Sequence, residues 1–189
     1  YGYGFADSLS IAPYVVSNGV PYIFTNQDGE LPAVTEEWLA QNGPNGNGRF
    51  QQIIIIGGTT VVSQSAEQFC RDEGYTVPSR LGGSNRYLTS SMIADWCISK
   101  AGMSYSSIGL SSGLQFADAL TGSVLQGKSN SVLQLIRDED SSIQLAQNSI
   151  FRGDAQNGVL TTIRFFGGNA AIPQDVRNQV LNIKITSYD

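Results

Sequence analysis

The chain has 189 residues, 41% of them hydrophobic and only 14% charged, a balance that describes a globular protein and excludes a disordered or fibrous one. Its 11 basic residues are outnumbered by 16 acidic ones and are spread along the chain, which argues against nucleic acid as a partner. There is no histidine, the two cysteines form no CxxC pair, and no run of eighteen apolar residues occurs. A histidine-based catalytic or metal centre, a cysteine-rich zinc site and a membrane-spanning helix are therefore not expected, and no cofactor is implied.

In chain order, "FADSLS" (Phe5 to Ser10) opens a stretch whose apolar positions Leu9, Ala12 and Val16 have helical spacing. Tyr22 to Thr25 reads as a short buried strand, Gln41 to Arg49 as a loop rich in Gly and Asn, and Gln52 to Ile56 as a second strand ending at Gly57 and Gly58. Ala66, Phe69 and Cys70 then mark a helix. "SRLGGSNRYLTSSMIADW" (Ser79 to Trp96) reads as a strand end, a glycine turn and a helix. Ser84 or Asn85 caps that helix, Arg86 and Tyr87 stand in its first turn, and Met92, Ala94, Trp96 and Ile98 continue it. Strands follow at Ile108 to Ser111, Val132 to Ile136 and Thr162 to Phe166, with a loop from Arg152 to Gly158. Alternation of strand and helix predicts an α/β chain of right-handed βαβ units with mainly parallel sheets.

The chain is internally duplicated. Phe5, Asp7 and Leu9 of "FADSLS" recur as Phe116, Asp118 and Leu120 of "FADALTG" at an offset of 111, and Gly57-Gly58 recurs as Gly167-Gly168 at 110. Both Asp7 and Asp118 stand where a carboxylate complements a helix N-terminus. They also stand at the strand-end crevice where open α/β sheets hold ligands. The glycine pairs fit either positive φ angles or an anion-cradling turn, but no GxGxxG or GxxxxGK[ST] accompanies them. A cation at a helix N-terminus, as Arg86 is, calls for compensation. A structural carboxylate such as Asp118 or an anionic, hydroxyl-rich ligand would supply it.

Taken together, "FADSLS…PYIFT…IIIIGGTTVVS…SRLGGSNRYLTSSMIA…SSGLQFADAL…SVLQL…RFFGGNAAIP" resembles the cell-wall-binding repeat 2 family of Gram-positive surface proteins. The resemblance implies a Rossmann-like parallel-sheet unit per repeat, usually three in tandem around a pseudo-threefold axis. Residues 1–79 match a repeat lacking its opening half, and residues 80–189 match a complete one. With no initiator Met and no secretion signal at Tyr1, the chain is expected to be part of a longer protein. Val132 and Gln134 stand where the family pattern has Pro and an apolar residue.

The implied function is non-covalent anchoring of a secreted protein to the cell wall, outside the cell, through an anionic wall polysaccharide. Ser84, Asn85, Arg86 and Asp118, with Asp7, are the candidate polymer-binding residues. No catalytic residue is assigned, since enzymatic activity in such proteins lies in separate modules. A structural or adhesive module without polymer binding is the alternative, and a part of a wall hydrolase such as an amidase a more distant one. Self-association through repeat interfaces is expected of so few repeats. Cys70 and Cys97, on successive helices, are either bridged or free, each filling an apolar stripe.

Overall fold

A computed structural model describes residues 5–155 and 159–182. They fall into two compact units, one of residues 21–84, the other combining residues 1–20 with 85–189. The units thus cut the chain differently from the duplication, because the helix that opens the first copy packs into the unit that holds the second.

In the larger unit the order is α1 (Phe5–Asn18), α4 (Arg86–Lys100), β3 (Ser104–Ser112), α5 (Ala117–Lys128), β4 (Ser131–Ile136), α6 (Asp140–Ala155), β5 (Thr162–Phe166) and α7 (Gln174–Leu181). In the smaller unit it is α2 (Ala33–Asn42), β1 (Gln52–Ile56), α3 (Gln64–Asp72) and β2 (Thr76–Leu81). Among the described residues all strand pairs are parallel, β4-β3-β5 in one sheet and β1-β2 in the other. This is the α/β arrangement of parallel βαβ units that the alternation predicts, and the Rossmann-like tandem form that the family resemblance implies.

The larger sheet reverses direction at β3. The chain steps from β3 through α5 to β4 on one side, then through α6 to β5 on the other. Right-handed crossovers in opposite directions put α5 and α6 on opposite faces. On the α5 face the strands offer small residues. A Cβ on Gly109 would come within 2.8 Å of both Gln126 and the Phe166 ring, and one on Gly122 within 2.5 Å of that ring. Ala6, Leu9, Tyr87, Ala119, Leu133 and Leu135 form the apolar core there.

α1 lies along α5 with duplicated positions facing each other. Phe5 meets Phe116 edge-on at 6.0 Å, and Gly127 leaves room for Val16, whose side chain would stand 2.7 Å from a Cβ at that position. The two motif helices are therefore parallel and in register. The smaller unit is built round Leu39, Ile55, Cys70, Tyr75 and Val77, with the Tyr75 hydroxyl donating to the Leu39 carbonyl at 2.8 Å.

Two expectations change, and one open alternative is resolved. Tyr22 to Thr25 is not a strand, although its counterpart β4 pairs with β3: among the described residues no strand lies beside it. The rings of Tyr22 and Phe24 instead pack on each other at 4.8 Å, and the Thr25 hydroxyl donates to the Val61 carbonyl. Arg152 is not on a loop, since α6 continues through it and Arg152 pairs with Asp95, which also accepts the Tyr105 hydroxyl. The remaining loop positions 156–158 lie outside the described residues. Of the two readings of Cys70 and Cys97, the structure has free, buried thiols, and burial pushes them up to about 11 and about 12.

Candidate functional site

The candidate residues gather at the C-terminal ends of the larger sheet, on three short segments. The first is the start of α4. Asn85 caps it, its side-chain oxygen accepting the Tyr87 and Leu88 amides at 3.0 and 2.9 Å, while Ser84 and Asn85 are both exposed. Arg86, the first helical residue, carries its charge where the helix dipole opposes it. Three groups answer that charge. The Gly113 carbonyl, just past the end of β3, accepts from its guanidinium, the Phe5 ring lies 5.8 Å beneath it, and the Asp7 carboxylate attracts it.

The second segment is the start of α1. Asp7 is half-buried, and burial raises its pKa more than the Arg86 guanidinium lowers it. A folded-state pKa above the unfolded one means that the folded state favours protonated Asp7. The associated stability is present at acid pH and lost as pH rises through the folded pKa. Asp7→Asn is accordingly expected to raise the melting temperature at pH 7. The gain should shrink as pH falls through the ordinary carboxylate range near 4, as thermal scans across pH can show.

The third segment is the start of α5, where Asp118 lies in the first turn. It does not pair with Arg86; no such ion pair is formed among the described residues, and the carboxylate facing Arg86 is the first copy's. The reason is topological: α1 docks beside α4, whereas Asp118 turns toward the β5 side of the switch point. There it lies against Gly167, so close that a Cβ on that glycine would stand 2.8 Å from Asp118 Oδ2. Gly167 has φ +122°, and its counterpart Gly57 has +111°, so the first glycine of each pair supplies a backbone conformation that L-residues avoid.

Phe5 and Phe116 join the segments, and Arg137 at the end of β4 stands over the Tyr87 ring at 5.9 Å while pairing with Glu139. The aromatic contact and Arg137 were not singled out from sequence. The one signal for the aromatic contact is the equal spacing of the two "FAD" phrases, which gives Phe5 and Phe116 equivalent positions. The site thus offers a guanidinium, two carboxylates, a side-chain amide and hydroxyl, and partly exposed phenyl rings. Among the described residues no group of His, Cys, Asp and Glu could hold a metal ion, and no helix is long and apolar enough to cross a membrane.

A family described as cell wall binding domain 2 matches residues 1–67 and 80–177. Two curated proteins of Bacillus subtilis (strain 168) are similar in sequence. The chain is 26% identical over 181 residues to N-acetylmuramoyl-L-alanine amidase LytC, covering 96% of itself and 32% of that protein. It is 27% identical over 176 residues to the amidase enhancer, covering 93% of itself and 21% of that protein. The chain therefore spans a third or less of these relatives. Among solved structures, Cwp6 and Cwp8 from Clostridium difficile share the fold over 95% of this chain, with TM-scores of 0.72 and 0.70, each at 22% identity. The chain covers 26% and 28% of those two chains.

Proposed function

The chain belongs to the cell wall binding domain 2 family, and from that premise we propose that it holds a secreted protein non-covalently on the bacterial cell wall by gripping an anionic wall polysaccharide. The observation that carries the choice of site is the placing of Arg86 on the Gly113 carbonyl and the Phe5 ring at the strand ends, within the field of Asp7. Arg86 can present two parallel N–H groups to a phosphate or carboxylate. Asp7 and Asp118 accept hydrogen bonds from sugar hydroxyls, and Ser84 and the free amide end of Asn85 donate to them. The net charge of −5 does not forbid this. Charges beyond about 8 Å are screened at physiological salt, and binding depends on the groups that touch the polymer. The chain acts as an anchor, and the catalytic chemistry of amidase relatives belongs to the parts of those proteins that it does not match.

Arg86→Gln is expected to weaken binding to purified, deproteinised walls about tenfold, the loss of about 1.4 kcal/mol. Lys128→Gln, an exposed change at the far end of α5, should leave binding unchanged. Co-sedimentation isotherms with melting temperatures recorded alongside decide it, and equal binding by two folded variants would remove this crevice from consideration.

Assembly follows from the same duplication. Leu9 and Pro13 of α1 are buried and Phe5 is half-covered, yet their counterparts Leu120, Val124 and Phe116 on α5 are 49%, 41% and 57% exposed. We propose that a further copy of the repeat covers this stripe. The 189-residue chain should then sediment with a concentration-dependent mass, and Leu120→Glu should return it to a monomer. Monomeric behaviour of the unaltered chain at every concentration would refute the proposal.

A further inference from the structure

The turn after each glycine pair holds two carbonyls that need a donor, and the two copies supply it from different places. In the first copy the donor is Arg80 on β2. Its Nη1 donates to the Gly57 and Val62 carbonyls at 3.2 and 2.8 Å, and Nη2 to Ser63 at 3.4 Å. Nε and Nη2 also bond Glu67 of α3 at 2.9 and 2.7 Å. In the second copy the same two carbonyls, Gly167 and Ile172 at the offset of 110, accept from Arg177 at 2.6 and 3.0 Å. Position 177 is the counterpart of Glu67, not of Arg80. A guanidinium that arrives from the next strand in one copy is thus carried by the closing helix itself in the other, where it rests over the Phe165 ring at 5.2 Å. The neighbouring charge has gone as well: Arg71, paired with Glu67 at 2.6 Å, has Leu181 as its counterpart.

We propose that position 67 is a specificity-determining position at the junction between repeats: its side chain decides what the adjoining strand must carry. Glu67 leaves the turn carbonyls unserved and attracts a guanidinium, so it selects a strand bearing Arg80. An arginine there, as at 177, fills the turn from within and repels a strand bearing another. This concerns how consecutive repeats recognise each other and stands apart from polymer binding.

The inference makes the effect of one substitution change sign with its partner. In a chain carrying Arg71→Gln throughout, to remove the charge one helical turn away, Glu67→Arg beside Arg80 should lower the melting temperature by several degrees, as two guanidinium groups compete for one turn. Arg80→Gln alone should lower it too. Adding Glu67→Arg to Arg80→Gln should raise it again, with hydrogen-exchange protection of the β1 and β2 amides returning toward that of the reference. A combined variant no more stable than Arg80→Gln alone, or one that fails to fold while Arg80→Gln folds, overturns the proposal. Glu67→Gln with Arg80 retained is the control for lost attraction without repulsion, and should fall between the reference and Glu67→Arg.

Discussion

Gly167→Ala is expected to destabilise the larger unit by about 3 kcal/mol, while Gly168→Ala, one residue on, should change its stability by less than about 0.5 kcal/mol. At φ +122° an L-residue is strained whatever the space around it. The new methyl would also stand 2.8 Å from Asp118 Oδ2 and 2.9 Å from the Ala171 Cβ, closer than packed atoms tolerate. A Cβ on Gly168 meets nothing within 4 Å, and no positive φ is required there. Because part of the cost is the clash with Asp118, Asp118→Ala should recover some of it, a coupling of about 1 kcal/mol in a double-mutant cycle. Denaturant melts of the four variants measure it. Equal costs at the two glycines would mean that the turn is looser than its geometry, and that Asp118 is not held against it.

The opposite sign is expected at Gln134. This residue lies fully buried in β4 between Leu133 and Leu135, both also fully buried, and neither end of its amide meets a hydrogen-bond partner among the described residues. An amide removed from water without compensation costs about 1–3 kcal/mol, whereas an apolar side chain of similar size carries no such penalty. Gln134→Leu should therefore stabilise the chain by about 2 kcal/mol, a rise of about 4–8 °C in melting temperature for a chain of this size. A fall would show that the amide is satisfied in solution and that the strand depends on it.

What could be read from the sequence was what depends on neighbours in sequence. The duplication was visible as repeated letters. The glycine pairs, the Asn85 cap and the positions of β1, β3, β4 and β5 followed from backbone geometry and from hydrophobic runs, although only β3 and β4 are largely buried and β1 and β5 are partly exposed; the parallel sheet followed from the alternation of elements. What could not be read was long-range. Arg86 comes within the field of Asp7, nearly eighty residues earlier, because α1 buries Ala6, Leu9 and Pro13 in the second copy's unit. No spacing within "SNRYLTS" records that. Tyr22 to Thr25 has the composition of a strand, but pairing needs a partner strand, and a local run of Tyr, Ile and Phe cannot say whether one is at hand. The exchange of Glu67 and Arg80 for Arg177 was equally hidden, since aligned positions carry opposite charges and only the shared carbonyls show that they serve one purpose.

The central claim is that this chain recognises an anionic polymer of the wall, and the most direct measurement is its binding to deproteinised walls before and after those polymers are stripped from the peptidoglycan by acid. The account predicts saturable binding to intact walls that weakens with salt and is lost on stripped ones. Undiminished binding to stripped walls, or none to either preparation, would contradict it.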